Sequence, residues 1–384
     1  MRNSNTITRL AMLSFLAVTA LSGCMAAVDD AVHDQDEGDI AVSEDPVAAA
    51  GSGGSGISPG LTRPRPTCVT VGAWGSLFRS FDAGLTWVSA PTPDLGKRST
   101  AWLQNVITTS ATTFWAVGDD GVILRSTTSG GSWTEMPWPG TSPWALDIRG
   151  IATDGGTRMV VAGRPDVPYF SSDAGQTWTK SDWAWEGGYT EGVNSVVFSG
   201  GRFIAVGDAG RIGISDDGGA HWTKIVPRTL SQFNLNKVIS LGNGRLVATG
   251  GGSLNPYELE DPHSIWVSND NGTTWSPGQF VRTCLFGIAA DNSGHLVGVS
   301  ARGYYQPSSN DFGSTWISTD IHTTTNSRLL GAVAWHQRTN AWIQVGREGP
   351  VFRSTDYGQT WTRTGPVPMR DGDGVGLIDV ACSR

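Results

Sequence analysis

An all-β fold, a seven-bladed β-propeller of four-stranded blades, is what this 384-residue sequence predicts. Three observations lead there. One pattern, Ser-x-Asp-x-Gly-x-Thr-Trp, recurs seven times; its copies are spaced at the length of one blade; and each is preceded by two short apolar stretches separated by turn residues. The composition agrees, with 51 glycines and only 16% charged residues. Many short strands need tight turns, and glycine adopts the positive φ of such turns without steric penalty.

The copies, called boxes below, run Ser80–Trp87, Ser126–Trp133, Ser171–Trp178, Ser215–Trp222, Ser268–Trp275, Ser309–Trp316 and Ser354–Trp361, with starts 46, 45, 44, 53, 41 and 45 residues apart. Each residue type has a local reason. Ser and Asp side chains bond nearby backbone amides, Gly takes the left-handed turn conformation, and Trp returns as the first buried residue of the next strand. Each box therefore reads as a β-hairpin clasp. That role is preferred to calcium binding even at Asn269-Asp270-Asn271-Gly272, which looks like a calcium loop. The second box has Thr128 in place of Asp, so a looser turn is expected there.

Ahead of each box lie segments such as Asn105-Val106-Ile107 and Trp115-Ala-Val-Gly118, which with the hairpin give strands A to D of a blade. The first strand in chain order, Cys68-Val69-Thr70-Val71, is then a strand B, and Gly376 to Cys382 is a strand A without a blade of its own. The C-terminal strand should complete the first blade and close the ring. Closure puts Cys68 beside Cys382, and a disulfide is expected in an oxidising compartment. Cys284, followed by Leu285, Phe286 and Ile288, reads as a buried thiol.

The N-terminus is separate from this body. Arg2 and Arg9 precede an apolar run from Leu10 to Leu21, too short to span a bilayer of ~30 Å. Leu21-Ser22-Gly23-Cys24 resembles the bacterial lipobox, which implies acylation of Cys24 and anchoring to a membrane. Met25 in place of Asp favours the outer membrane over the inner. Residues 1–24 are thus a lipoprotein signal, 25–66 a disordered tether and 67–384 the propeller. Met25 to Gly60 holds eight acidic residues and no Lys or Arg, giving a flexible chain with a reach of ~35 Å. The signal carries +2 and the tether −8, so the net charge of −8 belongs to the tether and the propeller is nearly neutral. A neutral body leaves no electrostatic footprint for nucleic acid. No cofactor or metal is called for, since the six histidines are scattered, and a monomer is expected.

The boxes resemble the Asp-box, or bacterial neuraminidase repeat, family over residues 68–384. In such propellers the boxes share one face, and the D-to-A and B-to-C loops ring the channel on the other. Ligand-face candidates are accordingly Trp138, Trp144, Trp183, Trp185 and Tyr189 on D-to-A loops, and Arg164, Arg211, Tyr257, Arg302 and Arg347 on B-to-C loops. Loop aromatics serve recognition more often than strand aromatics, and forked arginines grip carboxylates or phosphates. The tryptophans of the boxes and Trp115, Trp266 and Trp342 read instead as packing between blades.

Sialidases and glucan hydrolases share the repeat, which raises a carbohydrate-active enzyme as an alternative. The Arg-Ile-Pro segment of most sialidases is missing; Arg63-Pro64-Arg65-Pro66 is not its equivalent. A two-carboxylate glycosidase could draw on Glu186, Glu258, Glu260, Asp261 and Asp379, and the related xyloglucan hydrolases use two propellers in tandem where this chain has one. Serine-hydrolase elbows and phosphate loops are also missing. The single exported propeller is most similar to the photosystem II stability and assembly factor family, non-enzymatic binding propellers. The resemblance implies a non-catalytic binding or assembly scaffold of the envelope, with a protein or glycan partner.

Overall fold

A computed structural model describes residues 65–138, 147–164, 167–183, 192–225, 227, 233–251, 264–279, 281, 283–300, 305–321, 330–346, 349–364 and 376–383. Seven sheets, antiparallel except for one added strand, form the predicted propeller. Blade 1 joins the two ends of the chain: strand A is Leu377–Cys382, and B, C and D are Cys68–Gly72, Leu77–Ser80 and Val88–Ser89. Blades 2 to 7 follow in chain order, their A strands being Leu103–Thr108, Asp147–Thr153, Val193–Ser199, Asn234–Gly242, Leu285–Ala290 and Leu330–His336. Blade 4 departs from the four-stranded plan, because Asp182–Trp183 adds a fifth, parallel strand along His221–Ile225.

The ring closes as the order of strands required. Cys68 pairs directly with Cys382 and is disulfide-bonded to it, with Cα atoms 4.0 Å apart. The Thr70 hydroxyl donates to the Asp379 carbonyl, and the Thr67 and Ser383 backbones bond each other. Cys284 corrects the expectation of a free thiol. It is half-buried and disulfide-bonded, with its partner outside the described residues.

Each box is the predicted clasp. In the first, Ser80 Oγ donates to Asp82 Oδ1 (2.7 Å) and accepts from the Gly84 N–H (2.8 Å), while Asp82 takes both the N–H and the hydroxyl of Thr86. The Trp87 indole N–H reaches the Gly84 carbonyl. With the oxygens of the Asp occupied in this way, the turn is stabilised from inside. In the second box Thr128 Oγ1 still accepts from the Ser132 N–H (2.8 Å), but its contact with Ser126 Oγ lengthens to 3.4 Å. One hydroxyl replaces two carboxylate oxygens, so the looseness is confined to that link.

The box glycine does more than turn. At Gly84 (φ 84°) a Cβ would meet Ile343 of blade 7 at 3.0 Å, and at Gly175 one would meet Trp115 of blade 2 at 2.8 Å. Every box thus presses into the strand B of the preceding blade, including box 1 into the last blade. The core follows from this packing. Among the described residues, seven buried apolar clusters lie one at each interface between neighbouring blades. The box tryptophans are all buried, and so are Trp115, Trp266 and Trp342.

Candidate functional site

The seven A strands surround the central channel, and each begins with a β-bulge. The register between strands A and B slips by one residue at Gln104, Arg149, Asn194, Asn236, Phe286, Gly331 and, in blade 1, Ile378. A bulged residue is left out of the ladder and its side chain is re-aimed. All seven line one cavity at the channel mouth. The bulge has a structural partner in strand B. A Cβ at Gly118 or Gly207 would lie 2.1 Å from the carbonyl oxygen of Trp102 or Gly192, so only glycine admits the backbone of the A strand there.

The ring is chemically two-sided. Gln104, Arg149, Asn194 and Asn236 occupy consecutive blades 2 to 5, whereas Phe286, Gly331 and Ile378 occupy blades 6, 7 and 1. One polar arc therefore faces one apolar arc. Below the mouth, residues following the bulge bind the next blade. Asp379 accepts from the Val106 N–H, Asn105 from the Ile151 N–H and Ser195 from the Val238 N–H. Asp379 also takes the Asn105 amide and lies 3.6 Å from Lys237 Nζ, which reaches across the channel from blade 5.

Above the polar arc, the B-to-C turns supply carboxylates. Asp208 accepts from Arg164 (2.9 Å), the Gly192 N–H (3.1 Å) and Asn194 (2.7 Å). Asp119 accepts from Gln104 (2.9 Å). Burial pushes the Asp119 carboxyl up to about 6, the hydrogen bond from Gln104 opposing and nearby Asp147 adding to it. Arg149 donates from Nη1 to Asn194 Oδ1 at 3.1 Å. Its burial, with Arg164 close by, lowers its pKa to about 10, so it stays a cation at neutral pH.

The candidates named from sequence divide. Arg164 belongs to the mouth, through Asp208. Arg211 is 5% exposed and part of the interior. Trp138 is half-buried, its ring tilted against that of Tyr169 with centroids 4.7 Å apart across the interface between blades 2 and 3. Trp183 is not at the channel. Its ring packs edge-on against Trp222 at 5.3 Å, beside Gly213 and the fourth box, because the chain leaves blade 3 as the added strand of blade 4. Trp144, Trp185, Tyr189, Tyr257, Arg302, Arg347, Glu186, Glu258, Glu260 and Asp261 lie outside the described residues, as does Cys24. The bulged polar residues were missed; the signal for them was the glycine that ends strand B. Trp74 was missed too. It is 56% exposed in the B-to-C turn of blade 1, at a left-handed φ of 57° that a bulky side chain rarely takes.

Neither a protein-family model nor a curated protein matches the chain. Solved structures do. YCF48 bound to D1 peptide is similar at 16% identity and a TM-score of 0.54, over 79% of this chain and 87% of that one. YCF48 from Cyanidioschyzon merolae gives 17%, 0.52, 72% and 88%. The GH74 xyloglucanase from Xanthomonas campestris gives 20% and 0.55 over 68% of this chain and 45% of that one, so this chain spans under half of the xyloglucanase. At these identities the likeness shows the propeller fold and nothing finer.

Proposed function

We propose that this chain is a lipid-anchored, non-catalytic binding or scaffold propeller of the bacterial cell envelope, which takes its partner, a protein or glycan, at the channel mouth. The observation that carries the reading is the two-sided ring of bulged residues around one cavity at the channel mouth. Asp379 and Asp208 beside it are occupied by hydrogen bonds that join blades, which suits holding a surface rigid more than proton transfer. A propeller of this fold can hold a peptide, as in the YCF48 structure bound to D1 peptide. The test is pull-down from envelope extract with the propeller, alongside a glycan array and chromogenic glycosides. A specific partner without turnover supports the reading, and turnover overturns it.

A glycosidase is the second reading, favoured by one observation. Asp119, raised to about 6 with Asp147 nearby, has the character of a general acid. Turnover lost in Asp119→Asn would establish it.

The anchor rests on Leu21 to Cys24, and the cysteine count supplies its test. Acylation holds the Cys24 sulfur in a thioether, and the chain has four cysteines, two of them joined as Cys68–Cys382. Acylation would leave Cys284 no partner in its own chain, against the disulfide that Cys284 carries in the structure. Thiol counting on denatured, unreduced protein separates the cases: one free thiol supports the anchor, and none refutes it.

A further inference from the structure

Arg149 is the outlier of the bulge ring. The other six bulged residues are half-buried, whereas Arg149 is only 9% exposed. Among the described residues its guanidinium has one hydrogen bond, from Nη1 to the neutral amide of Asn194, and its Nε is buried without a partner. Among the described residues no carboxylate lies within ion-pairing distance of it, and Asp208, Asp147 and Asp119 act on it only from farther away. Asp208 is taken by Arg164, Asp119 accepts from Gln104, and Asp147 stays beyond 4 Å. A buried guanidinium that lacks a direct ion pair and leaves most of its donors unused favours a ligand that can accept from them. The geometry of guanidinium donors matches a carboxylate, which can accept two parallel bonds.

The opposite wall defines the rest of the ligand. Blade 3 faces blades 6 and 7 across the channel, where Phe286, Ile288 and Val333 line the cavity, and Gly331 contributes no side chain. Room and apolar surface therefore lie together, opposite the cation. From this we infer that the channel mouth is a receptor site for an organic carboxylate with an apolar body, the carboxylate on Arg149 and the body against Phe286, Ile288 and Val333. The inference rests on the binding reading above and names the ligand class of that site. The carboxylate belongs either to a free small molecule or to the end of a chain.

The test is isothermal titration calorimetry on the full propeller with hexanoate, acetate and hexylamine, and with an N-acetylated pentapeptide ending in Leu with a free or amidated terminus. Hexanoate should bind, acetate at least about 10-fold more weakly for lack of an apolar body, and hexylamine not at all. Preference for the free-ended peptide over both hexanoate and its amidated form assigns the carboxylate to a chain end; preference for hexanoate assigns it to a small molecule. Arg149→Met should weaken the preferred probe about 10- to 100-fold and leave the melting temperature of the ligand-free protein unchanged or higher, because it removes a buried charge. Phe286→Ala should weaken hexanoate while sparing acetate. Binding unchanged in Arg149→Met, or equal binding of hexanoate and hexylamine, overturns the inference. If no probe binds but an envelope partner is still captured, the ligand class fails and the binding reading stands; if neither occurs, both fail.

Discussion

Removing the disulfide that closes the ring, by the double substitution Cys68→Ala/Cys382→Ala, should lower stability through the unfolded chain. The bond joins residues 314 apart in sequence. The chain-entropy relation assigns a loop of that length about 5.7 kcal/mol at 25 °C. For a domain of this size the unfolding entropy near the midpoint is roughly 0.66 kcal/mol per kelvin, so the melting temperature should drop by about 9 °C. The folded state should survive. The two strands remain paired from Cys68↔Cys382 to Gly72↔Leu377, and Phe78, Ile343 and Val380 stay packed between blades 7 and 1. The assay is scanning calorimetry at fixed scan rate, with circular dichroism at 25 °C as the check on fold. A drop under about 2 °C would refute the entropic argument, and loss of the β-sheet spectrum at 25 °C would show that strand pairing alone cannot close the ring.

Trp222→Ala should destabilise by about 3 to 5 kcal/mol, because a buried ring leaves a cavity. Trp183→Ala, which removes the ring packed edge-on against Trp222, should also lower the melting temperature without altering partner capture, and a loss of capture at unchanged stability would put Trp183 back among the recognition residues. Acid should weaken the clasps. The hydrogen bonds from the Thr177 side chain and backbone hold Asp173 at about 2, below its ordinary 3.8. Asp217 and Asp311 are also at about 2, their clasp bonds outweighing the upward effect of burial. A depressed carboxyl stabilises the fold above its unfolded pKa and loses that contribution as pH falls to its folded value, so melting temperature should decline between pH 4 and pH 2. A flat profile there would contradict it. Thr128→Asp should complete the second box and raise stability by about 0.5 to 1 kcal/mol in urea denaturation, since the second carboxylate oxygen can accept the bond that Thr128 cannot. Finally, Cys24→Ala should release the protein from membranes on fractionation; retention would mean that Cys24 is not the anchor.

Period and local chemistry were legible without coordinates. The box repeat states the blade count, its Ser, Asp and Gly state the turn, and an unpaired strand at each end states how the ring closes. These are nearest-neighbour properties, satisfied within a blade or between adjacent ones, and a repeated segment writes them seven times over. The site is different in kind. That Gln104, Arg149, Asn194 and Asn236 meet across a channel depends on seven bulges converging on one axis, and no segment carries that information by itself. Trp183 shows the same limit from the other side: its position between strands looked like an exposed loop, but Trp222, 39 residues on, supplies a surface that covers part of it. The sequence determined the propeller because each blade repeats the same local solution. Tertiary structure alone decided which side chains face the channel, and left Arg149 there with no direct ion pair among the described residues, because that arrangement exists only once the last strand has joined the first.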